Sequence, residues 1–135
     1  MVCYKCSGVT AVLNSRLQKR TNSVWRRRGC ELCDAVFTTI EAIDFTKSFV
    51  VRSRKTKRLT PFVRDRLLLS LYKSLGHRTD GLTDASGLCA TILAKLGPSS
   101  ENGELSDRRI IEVTLVALNR FDTLAAQHYQ AFHKL

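Results

Sequence analysis

Four cysteines stand as two Cys-x-x-Cys pairs, Cys3 with Cys6 and Cys30 with Cys33. Two intervening residues let both sulfurs of a pair turn toward one point. Two such pairs supply the four thiolates of a tetrahedral zinc site with bonds of roughly 2.3 Å. A site of this kind leaves no position for a reactive water, so its expected role is structural. A thioredoxin-like redox pair fits less well, because neither pair lies ahead of a helix in a βαβ unit. The His-x-Glu and Pro-Cys-x-x-Cys elements of a zinc deaminase are absent. The fifth cysteine, Cys89, falls in a helical apolar pattern and reads as a small buried residue.

Between the two pairs lie Asn14-Ser15-Arg16 and Trp25-Arg26-Arg27-Arg28. A guanidinium pairs bidentately with a phosphate or a guanine edge, so Arg16, Arg26, Arg27 and Arg28 are the candidate nucleic-acid contacts. Trp25 flanks the same surface. If the run is a strand, Arg26 and Arg28 share one face and Arg27 takes the other. The competing reading is a solvated face that offsets the charge of the thiolates.

Formal net charge is +10, and it is unevenly placed. Residues 1–58 hold 13 Lys/Arg against 4 Asp/Glu, while residues 59–135 hold 9 against 8. A basic N-terminal part suggests a polyanionic partner, most often nucleic acid. No stretch approaches the ~18 apolar residues of a membrane span, so no membrane role is expected. The opening Met-Val-Cys-Tyr-Lys-Cys lacks a secretory apolar core. With cysteines at metal spacing, that favours a reducing cytoplasm over disulfides.

These side chains need elements to position them. Val9–Leu13 and Val36–Ile40 are short β-branched runs beside each cysteine pair and read as strands. Residues 1–45 thus form a small β-rich zinc module, with metal supplying much of its folding free energy. Residues 48–60 read as strand, basic turn and strand. The tip Arg52–Arg58 either extends the nucleic-acid surface, holds nucleotide phosphates, or is a solvated turn; no P-loop or GxGxxG is present. Val63, Leu67, Leu71 and Leu75 recur every four residues and predict a helix with Pro61 in its first turn and Gly76 at its end. A second helix is predicted over 83–96, with Leu88, Ile92, Leu93 and Leu96 inward and Gly97-Pro98 stopping it. Pro98–Gly103 reads as a turn-rich linker. Ser106 is a suitable N-cap for a third helix and Asp122 for a fourth, which would bury Leu124, Ala125, Tyr129 and Phe132. His128 and His133, at i and i+5, do not suit joint metal binding on a helix. No Ser/His/Asp, Cys/His or paired-carboxylate arrangement stands out, so no catalytic residue is assigned and an enzyme is not expected.

The order of these features resembles the NrdR-type repressors of bacterial ribonucleotide reductase genes. The likeness is densest in Cys3-x-x-Cys6, Asn14-Ser-Arg16-Leu17, Arg26-Arg-Arg28-x-Cys30-x-x-Cys33 and Phe37-Thr-Thr-Ile-Glu41. It implies an α+β protein with a zinc-ribbon DNA-binding domain over 1–45. An ATP-cone would follow over 46–135, a short β-hairpin with a bundle of roughly four helices. It implies one structural zinc per chain on Cys3, Cys6, Cys30 and Cys33, and contacts to double-stranded operator DNA from Arg16, Arg26, Arg27 and Arg28. It further implies ATP or dATP as effector, with Val51, Arg52, Arg66, His77 and Arg78 at the family's nucleotide-contacting positions. The nucleotide would set the size of a homo-oligomer, and the size would set operator binding. Asn14 stands for a family aspartate, Val63 for an acidic residue, and Arg66 and His77 for lysines. Those departures keep open an alternative: a zinc-ribbon nucleic-acid-binding protein whose helical domain only oligomerises.

Overall fold

The computed structural model describes residues 1–134 and divides into two units, Met1–Ile43 and Asp44–Leu135. The fold is α+β.

The first unit is a three-stranded antiparallel sheet in the order β1-β2-β3, with β1 Thr10–Gln18, β2 Ser23–Cys30 and β3 Val36–Glu41. Register sets Arg16 against Trp25, Asn14 against Arg27 and Ser15 against Arg26, with an irregularity between Val12 and Asn14. On the far side of β2, Ile40 faces Trp25 and Thr38 faces Arg27. The buried residues of this unit are Cys3, Gly8, Ser23 and Cys30. Not one Leu, Ile, Val or Phe side chain is buried within it. Sheet hydrogen bonds alone seldom hold so small a unit, and an ordinary apolar core is missing.

The second unit carries the apolar core. After α1 (Phe45–Ser48), capped by Asp44, comes a mixed sheet of β4 Val50–Arg52, β5 Leu59–Pro61 and β6 Glu104–Ser106 in the order β5-β4-β6. β4 is antiparallel to β5 and parallel to β6. The parallel pairing needs a long crossover, and α2 (Arg64–Ser74) and α3 (Gly81–Leu96) supply it. α4 (Asp107–Phe121) and α5 (Thr123–Phe132) complete the unit. Leu71, Leu75, Ile92, Leu96, Leu105 and Leu118 are fully buried, and Phe45 stacks on Phe49 at 4.7 Å between centroids. Cys89 is buried in this core.

Several sequence expectations are corrected here. Ser48 ends α1 and is not in a strand. Pro61 ends β5, where an edge position needs no donor, and α2 starts at Arg64 with no side-chain cap. α3 does end at Leu96 with Gly97 as its C-cap, as expected, although it starts at Gly81 rather than at residue 83 and a 3-10 turn over Gly97–Ser99 follows it. The expected hairpin is a three-stranded sheet, because the supposed linker leads into β6. Gly103 makes that entry possible. Its φ is +77°, and a Cβ there would lie 2.9 Å from the Ser48 carbonyl oxygen. On α5, Ala125, Ala126 and Tyr129 face inward, whereas Leu124 and Phe132 are exposed. Ser106 and Asp122 cap as expected, accepting from the Arg109 and Ala125 amides at 3.1 and 3.0 Å.

Candidate metal centre and nucleic-acid interface

The two Cys-x-x-Cys turns have the same local construction. In each, the residue after the second cysteine takes a left-handed conformation, Ser7 at φ 60° and Asp34 at φ 55°. In each, the first cysteine's amide bonds across the turn, Cys3 to the Gly8 carbonyl and Cys30 to the Ala35 carbonyl, both at 2.9 Å. In each, an amide two residues on points at the first sulfur, from Lys5 to Cys3 and from Leu32 to Cys30, both at 3.4 Å. Asp and Ser tolerate the left-handed turn better than branched residues do. The Glu31 amide, bonded to the Val9 carbonyl at 3.1 Å, ties the turns together.

This brings all four Sγ atoms within 4.8 Å of one another. Cys3 and Cys33 sulfurs are 3.7 Å apart, and those of Cys6 and Cys30 are 3.4 Å apart. A tetrahedron with bonds of 2.3 Å has edges of roughly 3.8 Å, so a zinc ion fits with small adjustment. None of the cysteines is in a disulfide. The charge chemistry points the same way. The Leu32 and Cys33 amides hold the Cys30 thiol down at about 7. The Gly8 amide acts likewise on Cys6, yet the Cys30 and Cys33 sulfurs outweigh it and push Cys6 up to about 12. Four thiolates this close repel, and only a cation among them lets all four ionise.

The sheet above this cluster separates the arginines. Opposed residues of an antiparallel pair point to the same side, so Asn14, Arg16, Trp25, Arg27, Thr38 and Ile40 share one face. Arg26 and Arg28 lie on the other, as alternation requires. Arg26 is anchored there: its guanidinium reaches Glu41 Oε2 at 3.0 Å and Ser15 Oγ at 3.0 Å. Arg28 donates to Thr39 Oγ1 at 3.2 Å. Arg16 and Arg27 have no side-chain partner among the described residues. A concavity of about 230 Å³ opens on their face, lined by Asn14, Ser15, Arg16, Trp25, Arg27 and Thr38.

In the second unit the expected nucleotide residues are mostly committed to carboxylates. Val51 is half-buried against the core. Arg52 forms a bidentate pair with Glu104 of β6, raising the guanidinium's pKa and lowering the carboxyl's. Arg66 is exposed on α2, with no side-chain partner among the described residues. His77 and Arg78 meet at Asp122, with Nε2 of His77 at 2.9 Å and Nη1 of Arg78 at 3.2 Å from Oδ2. Arg78 also bonds Asp84 at 2.7 Å and lies 4.8 Å over the Phe121 ring. The Ala125 amide first, then the His77 ring, hold Asp122 well below the usual carboxylate range.

The basic tip is partly tied down. Arg54 pairs with Asp107 through its backbone amide at 2.9 Å and Nε at 3.2 Å, and donates to the Lys134 carbonyl at 3.0 Å. His133 bonds Ser70 Oγ at 2.6 Å, and His128 stands edge-on to His77. Sequence reasoning missed Glu41, Glu104, Asp107 and Asp122 as partners of the cations. Asp122 follows His77 by 45 residues and Arg78 by 44, so only the tertiary fold joins them.

A family described as "Transcriptional repressor NrdR-like, N-terminal domain" matches residues 1–41. The chain is similar along 99% of its length to three proteins named transcriptional repressor NrdR. Identity is 30% to that of Streptococcus uberis, with 80% of the relative covered. It is 30% to that of Afipia carboxidovorans, with 84% covered. It is 32% to that of Methylorubrum extorquens, with 71% covered. No helix among the described residues is long and apolar enough to cross a membrane.

Proposed function

From the premise that the chain belongs to the NrdR family of transcriptional repressors, we propose that it represses ribonucleotide reductase genes by binding operator DNA. The first unit makes the contact and the second senses ATP or dATP. One observation carries the reading: a four-sulfur cluster clamps a sheet that has no apolar core of its own but carries four arginines. Such a sheet is worth folding around a metal only if its surface is the functional part. Cys3, Cys6, Cys30 and Cys33 would hold zinc, whose charge allows the thiolates to coexist. Arg16, Arg26, Arg27 and Arg28 would supply the positive field over phosphates.

In the second unit Val51, Arg52, Arg66, His77 and Arg78 would contact the nucleotide. A triphosphate must compete there with Glu104 and Asp122, which already hold Arg52, His77 and Arg78. Only a difference in nucleotide affinity between assemblies can shift the oligomer, and DNA must change nucleotide affinity by the same factor by which nucleotide changes DNA affinity. The test combines duplex binding with mass measurement in solution, using an upstream region of a ribonucleotide reductase gene. A nucleotide-dependent change of both size and DNA affinity is the expected result. DNA binding with no change on adding millimolar ATP or dATP would refute the sensing half.

The same pairing favours a second reading, in which the helical unit only oligomerises. There, His77→Ala and Arg78→Ala would leave nucleotide response unchanged because none exists.

A further inference from the structure

The two faces of the sheet in the first unit differ in what they offer a polyanion. Face one carries Arg26 and Arg28, but their guanidinium groups are used within the sheet, on Glu41, Ser15 and Thr39. Glu41 adds a carboxylate that repels phosphate. Face two carries Arg16 and Arg27, both without side-chain partners among the described residues. The strand residues on this second face include no Asp or Glu. Arg27 is two residues along from Trp25, and Arg16 lies directly across from it. Their diagonal spacing, roughly 7–8 Å between strands, lets the two guanidinium groups bracket a short run of one DNA backbone.

Between them stands Trp25, 48% exposed on a sheet surface, beside the concavity of about 230 Å³. Its indole has no hydrogen-bond partner among the described residues. An indole left half in water between two unpaired cations is an apolar contact awaiting a flat, apolar surface in an anionic partner. Base faces in a partly unstacked duplex step have that chemistry.

Resting on the reading of the first unit as a DNA-binding module, we propose that duplex DNA is taken by the Trp25 face. Arg16 and Arg27 hold phosphates, and Trp25 lies against an opened base step between them. Arg26 and Arg28 stiffen the sheet from behind and add only long-range charge. The assignment makes Trp25 the sequence-dependent contact, because opening a step costs less where stacking is weak.

Trp25 is the sole tryptophan, so intrinsic emission reports this one position. The probe is a labelled duplex selected from a random-sequence pool by the zinc-loaded full chain, with its single strand as comparison. Anisotropy reports binding, and tryptophan emission reports where it occurs. Binding is expected to quench Trp25. Trp25→Ala should weaken binding roughly 5- to 150-fold with an unchanged salt slope, and Trp25→Phe should recover most of the loss. Arg16→Ala with Arg27→Ala should reduce the salt slope by about 1.8, at about 0.9 per contact. Arg26→Ala with Arg28→Ala should reduce the slope by clearly less than that, because these two add only long-range charge. Zinc stoichiometry and amide protection in β2 establish that each variant is folded.

Duplex binding with unchanged emission overturns this assignment alone, as does a slope that falls only in the Arg26/Arg28 pair. Tighter binding to the single strand at equal salt also overturns the duplex assignment. Failure to bind any duplex overturns both this inference and the DNA-binding reading.

Discussion

Removing one of the proposed zinc ligands should unfold the first unit and spare the second. Cys30→Ser is the sharpest perturbation, because the Cys30 sulfur lies 3.4 Å from Cys6 and accepts the Leu32 amide. Serine keeps the size but not the thiolate. The magnitude follows from what else holds the unit. Its buried residues are Cys3, Gly8, Ser23 and Cys30, so area burial contributes little. Structural zinc contributes about 10–16 kcal/mol in comparable small sites at neutral pH. A whole domain is typically stable by about 5–15 kcal/mol. The metal term alone is thus as large as any stability this sheet is expected to have. Its loss leaves nothing of similar size to oppose backbone entropy of about 1–2 kcal/mol per residue. The helical unit differs, with Leu71, Leu75, Ile92, Leu96 and Leu118 fully buried. Metal analysis and amide hydrogen exchange on the Cys30→Ser chain provide the assay. We expect no bound zinc, loss of protection throughout β1, β2 and β3, and a red shift of Trp25 emission. Protection in α2 through α5 should persist. Protected amides across Ser23–Cys30 in a zinc-free chain would refute the reasoning, since the sheet would then be stable without its clamp.

Gly103→Ala should destabilise the second unit by about 1–3 kcal/mol, because φ is +77° and the new Cβ would meet the Ser48 carbonyl oxygen at 2.9 Å. Chemical denaturation followed by helical circular dichroism checks this, and a change below about 0.5 kcal/mol would contradict it. Asp122→Asn keeps a capping oxygen while removing the charge that faces His77 and Arg78. A depressed carboxyl stabilises above the ordinary value of 3.8 and loses that contribution as pH falls through its folded value. The drop in urea midpoint from pH 7 to pH 3 should therefore be smaller in Asp122→Asn than in the parent. An equal drop would mean that the charge of Asp122 does not contribute.

The gathering of the four cysteine sulfurs was legible because spacing largely fixes it. Cys-x-x-Cys is a local geometry, and the two turns repeat it down to the left-handed residue after each pair. Helices were legible from their four-residue apolar period, as at Leu67, Leu71 and Leu75, and their caps from Ser106 and Asp122. β6 was not, because Glu104-Leu105-Ser106 is too short for a period, and Leu105 is buried only through parallel pairing with β4. Leu124 and Phe132 misled for a related reason. An amphipathic pattern gives the width of an apolar stripe, but the neighbouring helices decide which part of it is covered.

Alternation in β2 predicted that the arginines would divide, but not which of them would stay free. That depended on register. Glu41 and Ser15 come within reach of Arg26 only because β1 and β3 pair where they do. A shift of one residue in either strand would exchange the faces. The same logic governs the second unit, where the guanidinium groups of Arg52 and Arg78 pair with Glu104, Asp84 and Asp122, and the His77 ring also bonds Asp122. Charge count therefore overstates what each unit offers a phosphate. In the first unit, two unpaired guanidinium groups remain beside an exposed indole. In the second, a phosphate must displace a carboxylate, and each displacement strips a hydrogen-bonded charge of its partner at a cost. The proposed DNA contact by Arg16 and Arg27 would thus require no rearrangement of those arginines, whereas the proposed nucleotide contact by the second unit would be coupled to the carboxylates of β6, α3 and the start of α5. If the second unit senses a nucleotide as proposed, that coupling would serve it, because the carboxylates would be released to act on other elements only with the effector bound.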